Sequence, residues 1–413
     1  MASTSVVITG LGCISSLGSS RDDFWRSLKE GRSGIRPLKM DLQEGLKLSI
    51  AAQIDSFSPE DHFSSSVLAC LDRYSQLGLV AAREAVTDAA LDEGNLATAA
   101  VIIGTGCGGK ETDEATYRQL YIDNKRRAHP LTIPKGMPSA AASQISMQMG
   151  ITGPAFTVSS ACASANHAVA QAAMMIRSGL VDVALAGGTD APFTYGLLKA
   201  WEAMRVLSSD TCRPFCADRK GLVLAEGAGM VVLESLSHAQ KRGARIHAEL
   251  AGIGMSSDAG HITRPSAEGA ARAINAALLD ASLNPADVGY INAHGTGTQA
   301  NDVTETEALK TAFGASVDKL MVSSTKSMHG HALGAAGGLE LIATVLTVAK
   351  GVVPPTVNFT SPGEGCDLDY VPNQAREVSV DAALSNSFAF GGLNAVLAVK
   401  RCNYSAHKLG SVC

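Results

Sequence analysis

The sequence predicts an α/β protein of layered sheets and helices, and three observations carry that prediction. Short β-branched runs alternate with longer Ala-rich segments along the chain. Hydrophobic residues make up 46% of the 413 positions and charged residues 18%, enough to bury a sizeable core. The 41 glycines gather where apolar runs meet Ala-rich ones, which marks turns of close backbone approach rather than flexible linkers. Such alternation stacks helices on sheets.

In chain order, strands are expected over 6–10, 99–104, 155–159, 181–186, 246–254, 288–293 and 322–325, then a hairpin from 383–385 to 395–400. Helices are expected over 77–90, 163–178, 268–281 and 333–350. A short internal echo stands out: Phe156-Thr-Val-Ser-Ser160 precedes a small-residue helix with Cys162, and Met321-Val-Ser-Ser-Thr325 precedes another with His331. Two related halves, 1–250 and 251–413, would place these helices symmetrically. Small residues also recur wherever helices pack tightly on sheets, so the echo alone leaves both readings open.

The formal net charge of −5 argues against a general nucleic-acid surface, and an acidic partner must dock on a local basic patch. Nine irregularly spaced cysteines, an odd number, do not form a disulfide framework and fit a reducing compartment. The start MASTSVVITGLG lacks a basic segment followed by a hydrophobic stretch and cleavage site. No window offers the ~18 uncharged apolar residues of a membrane span. A cytoplasmic protein without a membrane partner is expected.

Four segments carry chemistry. Cys162 falls at the head of a helix after a turn of small residues, where the helix dipole favours the thiolate. Unpaired cysteine is also among the most buried residue types, so placement singles Cys162 out from the other eight. In Asn292-Ala-His-Gly-Thr-Gly-Thr298, His294 sits at the carboxyl end of a strand, able to donate to an oxyanion. Standing alone, such a histidine is more often structural. In Ser324-Thr-Lys-Ser-Met-His-Gly-His331, Lys326 and His331 precede a Gly/Ala helix on which Glu340 can orient Lys326. Neither the His329/His331 pair nor Cys212 and Cys216 find the partners a zinc site requires, so no metal is expected. In Ser385-Asn-Ser-Phe-Ala-Phe-Gly-Gly392, a tight turn presents backbone N–H groups beside Phe388 and Phe390.

Together these segments resemble the β-ketoacyl-(acyl carrier protein) synthase family of condensing enzymes, over nearly the whole chain. The resemblance implies a thiolase-like fold of five αβαβα layers and two similar halves, usually dimeric. It implies an acyltransferase performing decarboxylative condensation of a Cys-bound acyl chain with malonyl-carrier protein, extending the chain by two carbons in fatty-acid, polyene or polyketide synthesis. Cys162 would be the nucleophile, His294 and His331 would stabilise the enolate, and Lys326 and Glu340 would set the electrostatics. The N–H groups of Cys162 and Phe390 would form the oxyanion hole, with Phe390 also the gate. Thr296 and Thr298 would bind the phosphopantetheine arm, and Phe388 would shield the thiol. No cofactor is implied, because phosphopantetheine arrives on the carrier.

Ala389 and Leu393 depart from the Gly and Thr usual in housekeeping members, and residues 187–215 look closer to specialised nodulation-type or polyene-forming ones. Cys107 and Thr132 match acyl-pocket positions. For carrier docking, Lys125, Arg126 and Arg127 form one candidate patch and Arg205 another, while Ala69 and Cys70 stand where basic residues are common. Three readings remain beside a homodimeric synthase: an active subunit of a heterodimer with a non-catalytic chain-length partner, that partner itself, or a non-decarboxylating thiolase. The paired histidines and Cys162 favour an active synthase.

Overall fold

Apolar runs of small and β-branched residues pair into one ten-stranded sheet in the computed structural model, which describes residues 4–41 and 44–402. In chain order the strands are β1 (Val6–Ser15), β2 (Ala100–Gly104), β3 (Ala155–Val158), β4 (Val183–Asp190), β5 (Gly227–Ser235), β6 (Ala248–Ser257), β7 (Tyr290–Asn292), β8 (Met321–Ser323), β9 (Ala382–Ala389) and β10 (Leu393–Lys400). Their spatial order is β8-β7-β9-β10-β6-β1-β5-β4-β2-β3. Outward from the antiparallel β1–β6 pair, one side reads 1-5-4-2-3 and the other 6-10-9-7-8, the same order with five added.

The helices repeat in step. The first half places α1 (Arg73–Ala89), α2 (Ala140–Met149) and α3 (Ser164–Arg177) where the second places α4 (Ala267–Asp280), α5 (Gln299–Phe313) and α6 (Ala336–Lys350). α1 packs with α2 on one outer face and α4 with α5 on the other, while α3 and α6 touch each other between the two halves of the sheet. The five layers expected of a thiolase-like fold are therefore present. The expected boundary at 250/251 falls inside β6, because the second repeat opens at Ala248.

Glycine does more here than mark turns. Gly10 and Gly12 lie inside β1, where a Cβ would stand 2.1 Å from the Ala85 and Ala81 carbonyls of α1. Gly252 and Gly254 do the same in β6, 2.4 Å and 1.9 Å from the Ala277 and Ala273 carbonyls of α4. These contacts let each helix lie directly on its strand, and they carry β1 five residues past its expected end at Gly10.

Two of these six helices escaped the sequence reading for a physical reason. α5 turns Asn301, Asp302 and Glu305 inward, so its polar residues are on the buried side. α2 mixes Ala and Ser with too little polar contrast to show a face. Among the described residues Leu333–Lys350 is long and apolar enough to cross a membrane, but 89% of it is buried within the protein, where it includes α6. Cys13, Cys70, Cys107, Cys162, Cys212, Cys216 and Cys366 carry free thiols.

The close approach of β6 to α4 makes a clear prediction. Gly254→Ala should destabilise the fold by about 1–3 kcal/mol through overpacking, read as a lower thermal midpoint. Gly260→Ala, whose Cβ would meet nothing nearer than 3.9 Å, should leave the midpoint unchanged.

Candidate active site

The two halves each bring one part of a buried cluster. From the first, the chain leaves β3 and turns through Ala161, held at φ +51°, so that Cys162 projects just before α3. From the second come His294, after β7, and His331, which follows β8 by way of the short helix Lys326–His329 and Gly330 at φ +71°. The His331 Nε2 lies 3.1 Å from the Cys162 Sγ, and the two imidazoles meet edge to face at 5.5 Å and 85°. His331 is pinned through its backbone: its N–H donates to the Val223 carbonyl at 2.7 Å, and its own carbonyl accepts from Ala225 at 3.0 Å.

Lys326 sets the charge. Its ammonium, wholly buried, donates to the His294 carbonyl at 2.6 Å, lies 3.4 Å from His294 Nδ1 and contacts Glu340 as an ion pair. An ammonium beside Nδ1 makes that nitrogen the acceptor, so the ring proton resides on Nε2, the nitrogen away from Lys326. Burial, and then the Lys326 charge, hold both His294 and His331 well below the usual imidazole range, so both are neutral. Burial pushes the Glu340 carboxyl up to about 7 against the opposing pull of Lys326.

Burial also pushes the Cys162 thiol up to about 12, with Lys326 pulling the other way. Desolvation thus opposes the thiolate that the helix start was expected to favour. The neutral His331 ring is the imidazole in contact with that thiol. The ligating atoms of Cys162, His294 and His331 lie within 4.8 Å of one another. His329 is turned away from them, bonding Thr325 at 2.9 Å and packing near Phe24, so the His329/His331 pair is split.

A cavity of about 500 Å³ opens onto the cluster, lined by Cys162, His294, His331, Phe388, Phe390, Thr296 and Thr298 among others. Phe388 stands edge-on to His294 at 6.3 Å, and Phe390 stacks obliquely on Trp201 at 6.1 Å. The turn after Phe390 is strapped to the loop from 258 to 265: Gly391 N donates to the Ile262 carbonyl and Asp258 N to that of Gly392. Ala389 and Leu393, the departures noted in the sequence, pack in one small cluster with Cys162. Thr296 and Thr298 bond each other at 2.9 Å, and Thr298 caps α5.

Other expectations fall outside the cavity. Cys107 belongs to a neighbouring apolar cluster with Leu198, Leu222 and Leu333, and Thr132 bonds Thr116 at 3.3 Å on a half-buried surface helix. Lys125, Arg126 and Arg127 are exposed and line no part of it, whereas Arg205 does, at the mouth with exposed Lys220 and Arg264.

Sequence reasoning missed two supports. Glu305 on α5 accepts from the His294 and Gly295 N–H groups, each at 2.8 Å, and from Asn386 at 3.1 Å. Arg219, buried, bonds the Thr298 and Gln299 carbonyls at 3.3 Å and fixes the start of α5. An acidic residue on a helix directly after NAHGTGT was the available signal for Glu305.

This geometry has known counterparts. The beta-ketoacyl synthase N-terminal domain family matches residues 3–239, and its C-terminal domain family matches residues 247–360. The chain belongs to the beta-ketoacyl synthase family. The synthase is 53% identical to nodulation protein E of Rhizobium sp. (strain N33), over 96% of this chain and 99% of that protein. It is 42% identical to 3-oxoacyl-[acyl-carrier-protein] synthase 2 of Staphylococcus aureus (strain COL), covering 96% and 98%. The solved structure of the ishigamide ketosynthase/chain length factor superimposes with a TM-score of 0.93 at 38% identity, covering 97% of this chain and 100% of that one. The synthase is an acyltransferase, a β-ketoacyl-carrier-protein synthase with no cofactor of its own.

The raised thiol makes the next measurement specific. In the resting synthase, the rate of Cys162 alkylation by iodoacetamide should climb about tenfold per unit between about pH 7 and pH 9 without levelling, followed by peptide mass mapping. A plateau in that range would mean the thiolate already exists.

Proposed function

We propose that Cys162 takes the acyl chain from carrier protein and that His294 and His331 then drive decarboxylative condensation with malonyl-carrier protein. The observation that carries this reading is the 3.1 Å contact between a buried thiol and a neutral imidazole. His331 accepts the thiol proton as Sγ attacks the thioester, and passes it to the departing carrier thiolate. The N–H groups of Cys162 and Phe390 stabilise the tetrahedral oxyanion.

Malonyl-carrier protein then enters. His294, with its proton on Nε2, and His331 receive the thioester oxygen as carbon dioxide leaves and an enolate forms. The enolate carbon attacks the acyl carbonyl, the new carbon–carbon bond forms, the carbon–sulfur bond breaks, and Cys162 departs as a thiolate that takes up one proton from solvent. Lys326 keeps both rings neutral and donor-ready, Glu340 balances its charge, and Glu305 holds the His294 backbone. Cys162 is the only cysteine lining the cavity among the described residues, which favours this route over a thiolase using a second cysteine.

The phosphopantetheine arm enters past Thr296 and Thr298, with Phe388 beside the reacting atoms and Phe390 as gate. Arg205, with Lys220 and Arg264, offers the acidic carrier protein a basic rim despite the negative net charge. Cys107 and Thr132 are left as contributors to acyl length beyond the cavity, and Lys125, Arg126 and Arg127 as a more distant carrier contact. Assembly is proposed through β3, the outermost strand of its half, whose neighbourhood exposes Phe156 and Met147. A second copy is the first candidate. The similarity to a ketosynthase/chain length factor supports a non-catalytic partner as the alternative. The free cysteines support a reducing, cytoplasmic setting.

Three outcomes check these roles. Intact-mass analysis after incubation with acyl-carrier protein should show an acyl adduct on wild type and none on Cys162→Ala, discharged by malonyl-carrier protein as a ketoacyl product two carbons longer. His294→Ala should lower turnover by roughly 10²–10³-fold while leaving that adduct intact. In steady-state assays, Arg205→Glu with Lys220→Glu should raise the carrier-protein KM several-fold and leave acylation by a small thioester unchanged; an unchanged KM removes the rim from the docking surface.

A further inference from the structure

Asp190 ends β4 with its side chain fully buried, and its partners are three backbone N–H groups and one hydroxyl. Oδ1 accepts from Thr105 Oγ1 at 2.7 Å and Cys107 N at 3.0 Å. Oδ2 accepts from Gly106 N at 2.8 Å and Gly334 N at 2.7 Å. Four donors use the full accepting capacity of a carboxylate. Three of them come from the turn after β2, in the first half of the chain. The fourth, Gly334, stands three residues after His331, in the second half.

The turn after β2 abuts the nucleophile. Ser164, at the start of α3, donates through its hydroxyl to the Thr105 carbonyl at 3.3 Å, and a Cβ on Gly106 would stand 3.7 Å from the Ala161 carbonyl. A Cβ on Gly334 would meet Gly106 N at 2.3 Å, so the two turns touch through glycine. Both carry strain: Ala161, beside Cys162, has φ +51°, and Leu333, beside Gly334, has φ +49°. Non-glycine residues stay in that region only where their surroundings hold them.

We propose that Asp190 is a positioning residue for condensation: its carboxylate ties the turn bearing His331 to the turn after β2, against which the Cys162 turn rests, and so fixes the separation of Nε2 and Sγ. The proposal rests on the roles given to those two residues above. A negative charge at this depth works against a thiolate on Cys162, and burial pushes the Asp190 carboxyl itself up to about 6. The carboxylate is therefore suited to holding the turns rather than to activating the thiol. An amide does not replace it. With its oxygen on Gly106 and Gly334, the NH₂ of an asparagine faces the Cys107 N–H, donor against donor.

The test is a double-mutant cycle on the rate of Cys162 acylation, measured by intact mass with acyl-carrier protein. Asp190→Asn should slow acylation at least about tenfold in the wild-type background with the carrier-protein KM within about twofold. In the His331→Ala background, where there is no ring left to position, the same change should slow the residual rate by less than about twofold. Equal slowing in both backgrounds would reduce Asp190 to a structural role and overturn the proposal, as would an unchanged rate in the single variant. Thr105→Val removes one donor and leaves the carboxylate in place; should Asp190→Asn fail to fold, it carries the same cycle with a smaller expected effect of about two- to fivefold. A wild-type protein that never acylates would instead overturn the functional reading.

Discussion

A lysine ammonium with no access to water must find acceptors for its three protons or be neutralised, and Lys326 meets that demand inside the synthase. Its acceptors are Glu340 and two atoms of His294. Removing one partner of such a buried pair costs about 3–5 kcal/mol, so the arrangement is self-enforcing. It settles which nitrogen of His294 carries a proton, keeps both imidazoles neutral and draws the Cys162 thiol toward ionisation against the stronger effect of burial. Because Glu340 belongs to α6, the charge balance also depends on a helix from the middle layer. Chemistry and core are thus one construction.

Much of this was legible in the sequence wherever a residue type and a local pattern coincided. Cys162 at a strand-to-helix turn, His294 in a Gly/Thr loop, and Lys326 and His331 before a Gly/Ala helix all stand together around one cavity. The five-residue echo between Ser160 and Thr325 reflects a repeat that runs through ten strands. What escaped were residues whose meaning lies in contacts far along the chain. Glu305 went unread, because its buried direction is evident only when α5 lies behind the His294 loop. Strand β5 begins Gly227-Ala-Gly229, where the absence of side chains leaves no β signal.

Several expected residues lie away from the cavity. Cys107 and Thr132 took their pocket role from resemblance to other synthases, yet the cavity is lined by Phe388, Phe390 and the mouth cations instead. Lys125, Arg126 and Arg127 formed a triplet in sequence, while the basic rim is assembled from Arg205, Lys220 and Arg264, each from a different segment. A charge patch made of scattered residues leaves no run to read. At Cys162 the helix dipole and burial act in opposite directions on the thiol.

The matching order of the two sheet halves has one more consequence. Each half supplies a complete framework of strands and helices, yet neither holds a reaction centre, since the sulfur belongs to one and both imidazoles to the other. The protein is organised like a pair of subunits fused by the link between β5 and β6, with its catalytic chemistry at the seam. Over evolutionary time such a seam lets the two copies diverge separately, one around its sulfur and the other around its imidazoles, without either having to relearn how to fold.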